Sequence, residues 1–325
     1  MDFVKAQAYD TCHLCPRYCG VNRTKGAVGF CGRGASFTIA SAVVHRGEEP
    51  PLISGKGSGT IFFTGCTLRC PFCQNSQISS EGMGTEVDDE TFMKICTALT
   101  DAGAGNINLV TGTPFIPTLA RCFEELRSSG FTLPVVWNSS GFESPEGLEI
   151  LSSFVDIYLL DMKVATREAS AKLFSYSEYG EIAQQTALFA ADRAPLSSPE
   201  APDFHGTILR HLVMPGFEDE TKRVIRWFGE HLAGKALFSL MLQFVDTKGT
   251  KGTEAALTED ELLRLLDEAG IEDGFLQEPG DDSLWLPDFA RVNPFPKEYA
   301  DPVWHWKHGF LDTNNKTVDE KDVLL

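Results

Sequence analysis

Cys66, Cys70 and Cys73 carry the sharpest chemical signal in the chain. The CxxxCxxC spacing places three thiols on one short loop. Three thiolates can hold three irons of a [4Fe–4S] cubane, because soft sulfur ligands suit iron–sulfur clusters. No fourth cysteine follows nearby, so one iron keeps an open corner. An electron-transfer ferredoxin closes all four corners; an open one implies that something binds there. A zinc loop is the plainer alternative. The run Thr60-Ile61-Phe62-Phe63-Thr64 just upstream has strand character, and Phe72 stands directly before Cys73.

A second constellation lies nearer the N-terminus: Cys12-x2-Cys15-x3-Cys19-x11-Cys31. Four cysteines close a structural zinc, and four also close an auxiliary iron–sulfur cluster. The spacing does not choose between them. Gly20, Gly26, Gly29, Gly32 and Gly34 interleave these cysteines and let a short chain fold tightly around a metal. Arg17, Arg23, Lys25 and Arg33 make this the most basic stretch of an acidic protein. A solvated basic face is the bland explanation; guidance of an acidic electron donor is the sharper one. Cys96 and Cys122 sit among apolar residues at helical spacing, which suits buried small hydrophobes rather than ligands.

Longer stretches narrow the class. CxxxCxxC after a strand resembles the radical S-adenosylmethionine (SAM) superfamily. CHLCPRYCGVNR (12–23), HRGEEP (45–50), GSGTIFFTG (57–65), CQNSQIS (73–79) and DIYLLDMK (156–163) resemble its pyruvate formate-lyase-activating-enzyme-like family. The resemblance implies a definite chemistry. The open iron chelates SAM through its amino and carboxylate groups, and the reduced cluster passes an electron to the sulfonium. Methionine leaves, and a 5′-deoxyadenosyl radical abstracts hydrogen from a substrate. The protein supplies orientation and excludes side reactions. The resemblance also implies a protein or peptide substrate, with a glycyl radical enzyme as one candidate, and an electron donor such as flavodoxin or ferredoxin. Radical modification of another peptide or a small molecule is the alternative.

The elements that position this chemistry alternate between strand-like and helix-like runs after residue 58. Strand-like runs fall at 60–64, 107–110, 134–137, 155–160, 208–213 and 236–244. Helical spacing joins Phe92, Ile95, Cys96 and Leu99, and again Ile116, Leu119, Ala120, Phe123 and Leu126. Thr258-x-x-Glu261 is a capping box opening a further helix. Such alternation argues for a parallel sheet. Six units predict an α/β fold, a partial (βα)6 radical SAM barrel with an N-terminal Cys-rich metal-binding segment. The expected division is 1–56 for that segment, 57–280 for the barrel and 281–325 for a C-terminal extension packing on it.

In parallel barrels, chemistry gathers at the carboxyl ends of strands. Those ends are Gly65-Cys66, Thr111-Gly112-Thr113, Asn138-Ser139, Asp161-Met162-Lys163, Met214-Pro215-Gly216 and Gln243. Thr111 and Gly112 occupy the place of the superfamily's GGE motif, which contacts the SAM amino group, although the glutamate is missing here. Asn138 and Ser139 match polar positions near the SAM, and Asp161 and Lys163 match a DxK. These six residues form the expected SAM-binding set; no hydrogen-abstracting residue is assigned. Arg210 is a weaker candidate for the mouth. Glu48 and Glu49 suggest an acid–base pair or a structural role near the N-terminal metal unit. His45, His205 and His211 are expected to be structural.

The 325 residues carry a formal net charge of -18. That excludes a general nucleic-acid binder, whose affinity rests on cations meeting phosphates. It weighs equally against a polybasic membrane-surface protein. No apolar run approaches the roughly 18 residues of a spanning helix, and the start of the chain lacks a signal-peptide core, so a cytoplasmic location is expected. A non-catalytic iron–sulfur carrier is the competing class; three central cysteines instead of four argue against it.

Overall fold

The structure, a computed structural model, describes residues 7–201, 203–242, 244–245, 257–277 and 286–311. Its strands are β1 (Phe37–His45), β2 (Ser58–Phe63), β3 (Thr85–Val87), β4 (Ile107–Val110), β5 (Val135–Ser139), β6 (Ile157–Asp161), β7 (Gly206–Leu212), β8 (Leu237–Met241), β9 (Gly274–Leu276), β10 (Ala300–His305) and β11 (Gly309–Phe310). Its helices are α1 (Ser76–Ser79), α2 (Asp89–Asp101), α3 (Ile116–Ser128), α4 (Pro145–Leu151), α5 (Arg167–Phe174), α6 (Tyr179–Arg193), α7 (Glu218–His231) and α8 (Glu259–Glu268).

One sheet runs β11-β10-β1-β2-β4-β5-β6-β7-β8-β9, with β3 paired to β1. From β2 to β9 every pairing is parallel. β1, β10, β11 and β3 join antiparallel at the β2 side. The expected partial barrel is therefore present, and each of its six anticipated strands is found. The short β9 extends the parallel run by one.

Local chemistry explains the helix starts. Asp88 accepts from Thr91 N–H and caps α2, and Ser144 accepts from Gly147 N–H to cap α4, whose first turn holds Pro145. Thr258 and Glu261 form the anticipated capping box at α8. Such caps satisfy backbone donors that the helix cannot.

The sheet has two apolar faces. Leu109, Trp137, Tyr158 and Leu160 share the main core with Phe92 and Leu99 of α2 and Leu119 and Phe123 of α3. Val136, Ile157, Leu159, Ile208 and Leu237 point into the lumen, where Leu52 and Phe204 plug one end. With both faces covered, the central strands can be uniformly hydrophobic. The plug leaves the carboxyl ends of β2 to β8 as the open mouth. Cys96 and Cys122 are buried in the outer core, as their apolar surroundings suggested. Among the described residues, no helix is long and apolar enough to cross a membrane.

Candidate functional site

The CxxxCxxC loop leaves the end of β2 through Gly65, whose φ is +91°. A Cβ there would lie 2.5 Å from Arg33 Cγ and 2.8 Å from the Cys31 carbonyl oxygen, so only glycine lets the N-terminal segment pack this close. Leu68 and Arg69 N–H groups point at Cys66 Sγ at 3.4 and 3.5 Å. Ser79 Oγ donates to Cys73 Sγ at 3.4 Å. Burial pushes the Cys66 and Cys70 thiols up, while the Lys163 charge pulls Cys70 the other way. Ligating sulfur must be ionised, so these buried thiols suit a bound cation that relieves the cost. Among the described residues, no three metal-capable side chains converge on a single ion position. A cubane spreads three thiolates over three irons, so the ligand type and loop placement fit that group without such convergence.

The N-terminal cysteines line a second place. Cys12, Cys15, Cys19 and Cys31 surround a cavity of about 20 Å³, shared with Arg23, Phe30, Thr67 and Thr113. That is room for roughly one water-sized guest. Burial lifts the Cys15 thiol to about 12. Arg23 is not part of a solvated basic face. It is 2% exposed and donates to the Arg33, Pro114 and Gly34 carbonyl oxygens. Its guanidinium clamps the segment to the turn after β4.

That turn is strained. Thr111 has φ +62°, and its N–H donates to the Asn138 carbonyl oxygen at 2.9 Å. A Cβ at Gly112 would stand 2.9 Å from the Trp137 ring. Thr113 Oγ1 donates to Glu143 Oε1 at 2.9 Å, and Ser139 Oγ donates to Glu143 Oε2 at 3.2 Å. Glu143 is 2% exposed, and burial raises its carboxyl to about 7 despite the two hydroxyls.

Asn138, Asp161 and Lys163 meet in a second network around Arg210. Arg210 donates to Asp161 Oδ1 and Asn138 Oδ1, both at 2.7 Å, and Lys163 Nζ holds Asp161 Oδ2 at 2.8 Å. Arg210 lies 3.8 Å from Glu48 and 3.9 Å from Glu49. Burial opposes the Asp161 charge, yet Arg210 and Lys163 hold its carboxyl down at about 2. Glu48 and Glu49 therefore face the lumen cation, not the N-terminal unit. Ser239 Oγ donates to Glu49 Oε1 at 3.0 Å, and Glu49 Oε2 is buried without a hydrogen-bond partner, 3.9 Å from Arg210.

The remaining candidates separate from this mouth. His211 bonds the Met162 carbonyl and Thr221 Oγ1, and burial lowers it to about 4. His205 is exposed at the opposite end of β7. His45 lies against Glu48 at 3.6 Å and the Phe295 ring. Gln243 lies outside the described residues. Sequence alone did not single out Glu143; the signal available was one acid between Phe142 and the helix-capping Ser144, just past a strand end.

The radical SAM superfamily model matches residues 60–228. The chain belongs to that superfamily. An uncharacterized protein of Methanocaldococcus jannaschii is 31% identical over 244 residues, 73% of this chain and 66% of that protein. The chain thus spans just under two thirds of that relative. A pyruvate formate-lyase-activating enzyme of Staphylococcus aureus is 25% identical over 195 residues, 56% of this chain and 72% of the enzyme. Streptococcus suis SuiB aligns with a TM-score of 0.48 and 13% identity, over 71% of this chain and 50% of its own. The superfamily uses a [4Fe–4S] cluster and SAM.

Glu143 gives a direct test of this geometry. A carboxyl raised from 4.5 to about 7 is favoured protonated in the folded state. Its stabilising share is complete below the unfolded value and is lost as pH rises through about 7, roughly 3 kcal/mol in all. In Glu143→Gln that share of the loss between about pH 5 and about pH 8 should disappear, as read by urea denaturation at each pH. Identical pH slopes for the two proteins contradict the assignment.

Proposed function

We propose that this chain is a radical SAM enzyme that holds a [4Fe–4S] cluster on Cys66, Cys70 and Cys73 and abstracts hydrogen from a protein substrate. What carries the proposal is three thiols on one loop at the mouth of a parallel barrel, beside an ionic lumen. When bound, the cluster and SAM supply reductive cleavage to a 5′-deoxyadenosyl radical. This chain's residues position and enclose that chemistry.

The SAM-binding set is Thr111, Gly112, Asn138, Ser139, Asp161 and Lys163. Thr113 and Ser139 spend their protons on Glu143. Ser139 Oγ already accepts from Gly141 N–H, so Thr113 Oγ1 is the hydroxyl oxygen left to accept from a donor such as the SAM amino group, in place of the missing glutamate. Arg210 fixes Asn138 and Asp161, and Asp161 fixes Lys163. Lys163 sets a cation beside Cys70, which favours ionised sulfur there.

Cys12, Cys15, Cys19 and Cys31 hold a second metal, zinc or iron–sulfur; since they do not converge on one ion position, the cluster is the better fit. We take 1–56, 57–280 and 281–325 as the metal-binding segment, barrel and C-terminal extension, and we place the protein in the cytoplasm. Activation of a glycyl radical enzyme is the leading role. The weak match to activating enzymes supports it, and so does a mouth that opens at strand ends. Modification of another peptide or a small molecule is the second reading.

Three measurements decide these points. Anaerobically reconstituted protein should form 5′-deoxyadenosine from SAM, and Cys70→Ala should abolish it; persistence in the variant would falsify the cluster assignment. Cys15→Ala should lower metal content by elemental analysis and lower the Tm while the central-cluster absorbance survives. Normal metal and melting would remove the second site. Incubation with a glycyl radical enzyme should give a doublet electron paramagnetic resonance signal. If it gives none, and 5′-deoxyadenosine instead takes deuterium from another labelled substrate, the activating role is wrong.

A further inference from the structure

Tyr18, Val28 and Phe30 stand into solvent at 48%, 56% and 39% exposure, large apolar groups within one short segment. They crowd around one exposed sulfur. Tyr18 directly precedes Cys19, and Phe30 N–H points at Cys19 Sγ at 3.4 Å. Gly29, next to Val28, lies so close that a Cβ would stand 2.9 Å from that sulfur.

Cations ring the patch. The Arg17 guanidinium lies 3.9 Å from the Phe30 ring centroid and that of Arg69 5.0 Å from it. Lys25 and Arg69 are exposed, and Arg33 is half-buried behind them. Between residues 11 and 80 the only carboxylates are Glu48 and Glu49, both turned into the lumen beside Arg210. Three carboxylates border the patch: Asp10, which accepts from Thr24 Oγ1 beside Lys25, Glu146, whose charge bears on Tyr18, and Glu81, next to the Gly82 that Arg33 approaches. The chain as a whole carries -18. Exposed aromatics with arginine have the composition of an interface core. A basic island on an acidic protein steers an acidic partner to that spot and repels it elsewhere.

The patch also abuts the cysteine loop. Arg69 belongs to CxxxCxxC, and Arg17 Nε donates to the Thr67 carbonyl oxygen of the same loop at 3.1 Å. We propose that Tyr18, Val28 and Phe30, with Arg17, Lys25, Arg33 and Arg69, form the docking surface for a small acidic one-electron carrier protein. This rests on the radical SAM reading above and adds where its electron enters. One electron passes: a flavin hydroquinone anion on the carrier becomes the neutral semiquinone, keeping its ring proton, and the cluster is reduced by one electron.

The probe is an acidic flavodoxin. Titration calorimetry of oxidised flavodoxin against the reconstituted protein needs no turnover. Its Kd should weaken steeply with salt, and about tenfold in the Lys25→Glu, Val28→Asp double variant. Lys25→Glu alone should shift it in the same direction by less, which guards against a misfolded double variant. 5′-Deoxyadenosine formation driven by photoreduced flavodoxin should fall in parallel, while formation driven by dithionite stays at the wild-type rate. An unchanged flavodoxin Kd in both variants overturns the proposal. So does a loss confined to radical transfer onto a protein substrate under dithionite, which assigns the patch to that substrate. A wild-type protein that makes no 5′-deoxyadenosine even with dithionite defeats the functional reading itself, and the docking proposal with it.

Discussion

A guanidinium buried at the mouth of a half-open barrel must be matched by negative charge, and Arg210 is matched from four directions. Asp161 comes from β6, Asn138 from β5, and Glu48 and Glu49 from the connection between β1 and β2. Lys163 adds a second cation on Asp161 and reaches toward Cys70. Burial pushes the Glu49 carboxyl up, whereas His45 and Arg210 hold Glu48 down against the same burial. Two cations then face two firm carboxylates, with Glu49 leaning to its neutral form. Removing one partner of a buried pair costs about 3–5 kcal/mol because the other charge is stranded. The ends of β5, β6 and β7 and the β1–β2 connection, which reaches up from the plugged end, therefore cannot drift independently. The mouth keeps its shape by charge balance more than by apolar packing, which dominates the opposite end of the lumen.

Much of this was legible from residue spacing, and the failures have physical causes. The six parallel strands announced themselves as short apolar runs between turns, because strands covered on both faces have no polar side. The same rule hid β1. Its sequence FTIASAVVH is buried throughout, yet it mixes small and polar residues and sits in a stretch dominated by cysteine and glycine. Only its place between β2 and β10 makes it a strand. The C-terminal β10 and β11 were likewise invisible, since an edge hairpin is defined by its partner. The cysteine motif was readable because its spacing encodes chemistry locally; the DxK and Asn138 were singled out by resemblance, and the fold brings Asn138, Asp161 and Lys163 together around Arg210. Glu143 was missed because its role depends on Thr113 and Ser139, which are brought to it only when β4 and β5 align. Glu48 and Glu49 were noticed but misplaced. Their partner Arg210 lies far along the chain, and no local pattern links them.

The two cysteine groups are not separate modules on a common scaffold. Thr67, inside the central loop, lines the cavity of the N-terminal four. Gly65 touches the Cys31 carbonyl and the Arg33 side chain, so the exit of β2 is shaped by the N-terminal segment. Arg23 ties that segment to the strained turn after β4, and Ser144 N–H bonds the Leu14 carbonyl oxygen at the start of α4. A metal held by the first group therefore stiffens the wall against which the second folds. The same close packing explains two of the glycines there: a Cβ at Gly29 or Gly65 would occupy the space of a sulfur or a carbonyl. Burial makes Cys15, Cys66 and Cys70 costly to ionise, and Lys163 offsets part of that cost at Cys70. Thr67 and Gly65 are where the two segments share a wall.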